Sequence, residues 1–137
     1  MSNICSYLSG ILQTYSKGAR AERELLGRLY SMGYSVVRAA GSGVNSISPD
    51  IIAIRGGRGM VFECKAWDSS SLSIDAEKFD SLRAWRDNAL LDTYMAWRMN
   101  GRGWYFIKLD EMTRTEKNYT VTRNTALRIG RRLENIA

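Results

Sequence analysis

The period of apolar residues divides the chain into helices and strands. Ile4, Leu8, Ile11, Leu12 and Tyr15 fall at helical spacing and predict a short amphipathic helix at the N-terminus. A second helix is predicted over residues 16–34, "SKGARAERELLGRLYSMGY", with Ser16 as its cap and Gly33 at its end. "YSVVRAA" then predicts a strand, "GSGVNSIS" a loop, "PDIIAI" a strand, "RGGRG" a turn and "MVFECKA" another strand. Phe79, Leu82, Trp85 and Ala89 share one face of a helix predicted over "SIDAEKFDSLRAWRDNALL". "TYMAWRM" and "GWYFIKL" read as strands joined by a turn at residues 100–103. "TRNTALRIGRRLENI" predicts a C-terminal helix with Ala126, Ile129 and Leu133 on one side. Helices at both ends and between strands imply one α/β domain around a mixed sheet.

Three acids interrupt this pattern. Leu25, Leu26 and Leu29 follow Glu22 by three, four and seven residues, which puts Glu22 inside the stripe its helix should bury. Its ordinary reading is an acid at the protein edge, favoured by the helix dipole. Asp50 follows Pro49 and precedes the apolar run Ile51, Ile52, Ala53 and Ile54, where an acid is commonly a turn residue. Glu63 and Lys65 share one strand face, with Phe62 and Cys64 on the face that belongs to the core. Such a pair is common on solvated strands.

Taken together, the acids read differently. If residues 56–59 form a four-residue turn, Arg55 pairs with Met60, Ile52 faces Glu63, and Asp50 faces Lys65. Asp50 is then the diagonal neighbour of Glu63 on the same face. A turn one residue longer would flip Asp50 to the other face. A helix packed on that face could deliver Glu22. Three convergent carboxylates need a cation, and an all-oxygen set favours Mg²⁺, with Mn²⁺ as a substitute. Such an ion polarises a phosphate and acidifies a bound water. Lys65 can then orient or help deprotonate the attacking water and neutralise developing charge.

Composition narrows the chemistry. The chain of 137 residues has a formal net charge of +6, which suits a polyanionic partner. Lys17, Arg20, Arg23, Arg28, Arg38, Arg55, Arg58 and Lys65 fall in the stretch that holds the three acids, and only Glu24 is left there as an ordinary acid. No histidine is present, which excludes a histidine base, histidine-ligated zinc and Ser-His or Cys-His nucleophiles. Cys5 and Cys64 lack the spacing of a zinc or redox pair. Neither a signal peptide nor a membrane span is recognisable, so an intracellular, cytoplasmic protein is expected.

"PD" at Pro49-Asp50 and "ECK" at Glu63-Cys64-Lys65 resemble the PD-(D/E)-x-K nuclease superfamily. In order and spacing, "KGARAERELL", "GYSVVRAAGS", "SPDIIAI" and "VFECKA" are similar to the archaeal Holliday junction-resolving endonucleases, with a weaker likeness at "GWYFIKL". The resemblance implies a restriction-endonuclease-like fold, with residues 17–137 as the nuclease domain and residues 1–16 as an N-terminal extension. It implies that Glu22, Asp50 and Glu63 are metal ligands, that the Cys64 backbone carbonyl is a fourth, and that Lys65 is the catalytic lysine. Arg23 and Arg38 would contact phosphates near the cleaved bond, and Ser42 matches a serine that assists cleavage. Lys17, Arg20, Arg55 and Arg58 are further expected DNA contacts. The family comes from thermophilic archaea and their viruses and forms two-fold homodimers that nick two opposed strands of a four-way DNA junction. No small-molecule cofactor or membrane partner is expected.

Two other readings stay open. One is a nuclease of the same fold acting on a restriction or repair substrate. The other is a catalytically silent DNA-binding protein. Trp67, Trp85, Trp97 and Trp104 could stack on bases. For Trp85 the apolar stripe favours packing, and Trp97 and Trp104 suit strand packing or a dimer interface. Arg128, Arg131 and Arg132 read as a solvated helix face.

Overall fold

Leu25 and Leu29 are fully buried, and the helix that carries them organises one side of the molecule. The computed structural model describes residues 2–39 and 47–137, the side chains of residues 2–16 excepted. Helix α1 runs without a break over Ser2–Ser31. The two expected N-terminal helices are therefore one, and Ser16 lies inside it rather than capping it. Its end is as expected: Gly33 follows at φ +93°, a conformation glycine adopts at no steric cost.

A five-stranded sheet follows. Its strands are β1 (Ser35–Arg38), β2 (Ile51–Arg55), β3 (Arg58–Lys65), β5 (Asp92–Met99) and β6 (Gly103–Lys108), in that spatial order. Among the described residues, only the β3–β5 pair is parallel. The crossover between them carries β4 (Ser71–Asp75) and helix α2 (Ala76–Ala89). β4 also belongs to a three-stranded sheet with β7 (Thr113–Arg114) and β8 (Asn118–Thr122), in the order β4-β8-β7. The sequence reading had none of these three strands. Ser71-Leu72-Ser73-Ile74 alternates in burial with period two, so α2 begins at Ala76, three residues later than expected, with Asp75 as its N-cap.

The core lies on both faces of the main sheet. On one face, Ala21, Leu25 and Leu29 of α1 pack with Ile51, Ala53, Met60, Phe62, Cys64, Tyr94 and Phe106. On the other, Leu72, Ile74, Phe79 and Leu82 pack with Met95, Trp97, Met99 and Ile107. The central strands are thus covered twice, which is why they read as near-continuous apolar runs. Glu24 ties α1 to this sheet, accepting from Arg98 Nε at 2.9 Å and Trp104 Nε1 at 3.1 Å. Trp97 and Trp104 are core residues, as packing predicted.

Two expected helical faces differ. Trp85 is only half-buried and Ala89 is exposed, and the Trp85 indole donates to the Ile47 carbonyl at 2.9 Å. The C-terminal helix is split into α3 (Arg123–Ile129) and α4 (Leu133–Ile136). Gly130 stands at the break, where a Cβ would come within 2.3 Å of the Ala126 carbonyl. Arg131 then bridges to Phe106 of β6, and its guanidinium grips both oxygens of Glu111 at 2.8 and 2.9 Å, so it is not part of a solvated face.

Candidate active site

The β2–β3 hairpin sets the positions of two acids. Its turn is the two residues Gly56 and Gly57, both at positive φ, so Arg55 pairs with Arg58 and Ile51 with Phe62. The expected turn was two residues longer. That difference preserves the face and moves the partner: Asp50 now enters beside Glu63 rather than diagonally from it. The Asp50 N–H donates to the Phe62 carbonyl at 3.0 Å, and Asp50 Oδ2 accepts the Cys64 N–H at 2.8 Å. Both acids are buried, Asp50 at 6% exposure and Glu63 at 4%.

Glu63 lies on the sheet face covered by α2. Lys65 Nζ is 4.0 Å from Glu63 Oε2, and Lys78 Nζ of α2 is 3.6 Å from Oε1. Neither distance makes a hydrogen bond, and buried Oε1 has no hydrogen-bond partner among the described residues. Burial, then the charge of Asp50, pushes the Glu63 carboxyl up to about 8, against the pull of Lys78 and Lys65. Lys65 Nζ also stands 5.5 Å from the ring centroid of Trp67, which is 41% exposed.

Glu22 arrives from the other side. Helix α1 packs against the Phe62 and Cys64 face, not the Glu63 face where it was expected. There Glu22 Oε2 accepts Arg38 Nε at 2.7 Å, a part-buried ion pair between α1 and β1. Burial and the charge of Asp50 raise the Glu22 carboxyl, and Arg38 opposes them. Among the described residues, no three Asp, Glu or Cys side chains gather closely enough to hold an ion. Asp50 and Glu63 are together, while Glu22 is held back on Arg38.

The other expected residues are dispersed. Lys17 pairs with Asp68 at 2.8 Å and, with Arg20, lines a groove of about 320 Å³ completed by Ala21, Glu24, Ala66, Arg98 and Asn100. Arg23 lies exposed on α1, beside Glu22 in sequence. Arg55 and Arg58 stand at the turn end of the hairpin, about 15 Å of strand from Asp50. Arg55 Nη1 donates to the Met32 carbonyl at 2.6 Å, and its guanidinium lies 4.3 Å from the Tyr34 ring centroid. Ser42 lies outside the described residues.

Lys78 was missed. Its Nζ donates to the Ser48 carbonyl at 2.6 Å, in addition to facing Glu63. A signal existed: with Asp75 as the cap, Lys78 sits in the first turn, where the helix dipole disfavours a cation. That oddity is visible only once the helix start is placed correctly.

Known proteins share this arrangement of elements. A family model described as archaeal Holliday junction resolvase (Hjc) matches residues 13–137. The crossover junction endodeoxyribonuclease Hjc of Archaeoglobus fulgidus is 33% identical over 107 residues, spanning 77% of this chain and 79% of that protein. The protein of the same name from Methanocaldococcus jannaschii is 34% identical over 108 residues, 78% of this chain and 77% of that protein. The solved structure of the A. fulgidus Hjc, described as a Holliday junction resolvase, superposes with a TM-score of 0.78 at 27% identity, covering 88% of this chain and 94% of that one.

Proposed function

The chain belongs to the archaeal Holliday junction resolvase family, and we propose that it is a divalent-metal-dependent endonuclease that resolves four-way DNA junctions by paired nicks in opposed strands. The observation that carries this reading is the buried Asp50–Glu63 pair beside Lys65. A buried carboxylate oxygen that accepts no hydrogen bond among the described residues, next to a second carboxyl, fits a cation. The all-oxygen donor set suits Mg²⁺, with Mn²⁺ as substitute. Asp50 and Glu63 would hold the ion, with Glu22 and the Cys64 backbone carbonyl completing its protein ligands. When bound, the ion polarises the scissile phosphate and acidifies a water.

The chain's own groups then have separable tasks. Lys65, about a third exposed, orients the attacking water and neutralises charge on the phosphate. Arg38 and Arg23 take phosphates near the cleaved bond. A phosphate that engages Arg38 frees Glu22 to turn toward Asp50, which couples DNA binding to completion of the metal site. Ser42 assists cleavage. Lys17 and Arg20 extend the phosphate track along α1, and Arg55 and Arg58 meet a duplex arm farther away. A two-fold homodimer supplies the two sites that two nicks require. Residues 17–137 form the nuclease unit, which acts with DNA in the cytoplasm.

The test is incubation with Mg²⁺ and three labelled DNAs: a four-way junction, a duplex and a single strand. Paired nicks in the junction alone are expected. Binding without nicking would sink the enzyme reading, and equal cutting of the duplex would sink junction selectivity.

A further inference from the structure

Among the described residues, Lys78 is the charged group at the site that the proposed chemistry leaves unused. It comes from α2, an element that carries none of the other site residues. Its backbone is fixed at the helix start, where its N–H donates to Asp75 Oδ1 at 2.7 Å. The next residue, Phe79, is buried and stacks on Tyr119 at 3.5 Å between ring centroids. The side chain therefore projects from a rigid base.

The two lysines flank Glu63 differently. Lys65 faces Oε2 with its side chain 29% exposed, on the side open to substrate. Lys78 faces Oε1 with its side chain 13% exposed, and its short bond goes to the Ser48 carbonyl. Ser48 precedes Pro49, which restricts it to extended conformations, and Asp50 follows directly. Holding the Ser48 carbonyl thus fixes how Asp50 enters the site. One ammonium group joins the two segments that carry the acids.

We propose that Lys78 is a positioning residue, an ammonium group that holds the Ser48-Pro49-Asp50 segment beside Glu63 until a divalent ion takes over that role. The inference rests on the metal-dependent nuclease reading of the site. It has a consequence that general loosening of the fold would not produce. Lys78 repels an arriving cation, so removing its charge tightens metal binding, while loss of its hold on the Ser48 carbonyl shifts the ion and its ligands against the scissile phosphate.

The test uses the full chain, K78M and K78R, with Mn²⁺ binding to DNA-free protein measured by calorimetry and junction nicking measured at saturating Mn²⁺. K78M is expected to bind Mn²⁺ at least about threefold more tightly, because a like charge near the ion is gone. It is expected to nick at least about tenfold more slowly, because the bound ion is no longer held in line with the scissile phosphate. K78R keeps the charge but not the fit. It should bind Mn²⁺ within about twofold of the wild type and still nick slowly. Mn²⁺ affinity that is unchanged or weaker in K78M overturns the proposal. If K78M does not fold, K78R decides, and a wild-type nicking rate in K78R overturns it. A wild-type chain that binds no Mn²⁺ overturns the metal reading itself, which separates that failure from failure of the Lys78 role alone.

Discussion

Asp50 is fastened to the strand that carries Glu63: its Oδ2 accepts the Cys64 N–H at 2.8 Å, and its own N–H donates to the Phe62 carbonyl. The ladder pairs end at Ile51 and Phe62, and the Asp50 side chain takes up the next free N–H of β3. Two buried acids are thereby held side by side at the end of a hairpin. The bond holds the Asp50 carboxyl against β3, beside Glu63.

Asp50 therefore has two roles that substitution separates. Asn can still accept the Cys64 N–H through its amide oxygen, whereas Ala leaves a buried N–H without a partner. D50A should be less stable than D50N by about 1–3 kcal/mol in urea denaturation without metal. Both should lose junction nicking by at least about 100-fold. Equal stability of the two variants would show that the bond to Cys64 contributes little.

Arg38 should matter for DNA and for Glu22 at once. Its Nε is 2.7 Å from Glu22 Oε2, and its side chain is 30% exposed, so it can reach a phosphate. R38A should weaken junction binding and lower the slope of log affinity against log salt by about 1. Removing the guanidinium also removes the larger part of what opposes the rise of the Glu22 carboxyl, leaving Lys65, so that group should titrate higher still in R38A. Titration of binding against NaCl, with NMR titration of the carboxyl groups, checks both. An unchanged salt slope would remove Arg38 from the phosphate contacts.

The pairing of Asp50 with Glu63 was legible because side chains alternate along strands. A turn misjudged by two residues keeps every side chain on its face, so an error in the "RGGRG" turn was harmless. The face chosen by α1 was not legible. Met60, Val61 and Phe62 are all buried, so β3 gives no sign of which side a helix covers. β4 was hidden because Leu72 and Ile74 also extend the apolar pattern of α2 backwards. Lys78 fell with it, since its odd place near a helix start depends on where that helix begins. Glu22 was recognised from a charge in an apolar stripe, yet its bond to Arg38 came from pairing across elements that no spacing reports.

Gly130 is where sequence periodicity and structure part at the C-terminus. Its backbone is ordinary, with φ −64° and ψ 142°, so the requirement is space rather than conformation. A Cβ would meet the Ala126 carbonyl at 2.3 Å and Ile107 and Tyr105 at 3.1 and 3.2 Å. G130A should lower stability by about 1–3 kcal/mol in thermal or urea unfolding, with junction nicking retained below the new midpoint. A variant as stable as the wild type would mean that α3 and α4 can shift apart without loss.

Glu63 gives the sharpest pH test, because its carboxyl is pushed up to about 8 from an ordinary value of 4.5, first by burial and then by Asp50. In the folded chain it holds its proton to higher pH than in the unfolded chain. The folded state therefore binds more protons between these values, and stability falls as pH rises through the window. The contribution is fully present below about 4.5 and lost by about 8. In EDTA, the wild type should thus lose stability on the order of 3 kcal/mol across that range. E63Q cannot ionise, so its stability should change less with pH, and near pH 7.5 it should exceed the wild type. Mg²⁺ should recover the loss in the wild type and leave E63Q nearly unmoved. The same variant should not nick a junction in Mg²⁺, which ionises the wild-type carboxyl, yet should bind the junction as tightly as the wild type or more tightly. Urea denaturation at a series of pH values, with and without Mg²⁺, alongside gel-shift binding, measures all of this. A wild-type stability that stays level between pH 5 and 8 in EDTA would show that Glu63 is already ionised in the metal-free fold, and the case for a cation at its bare oxygen would then rest on the family alone.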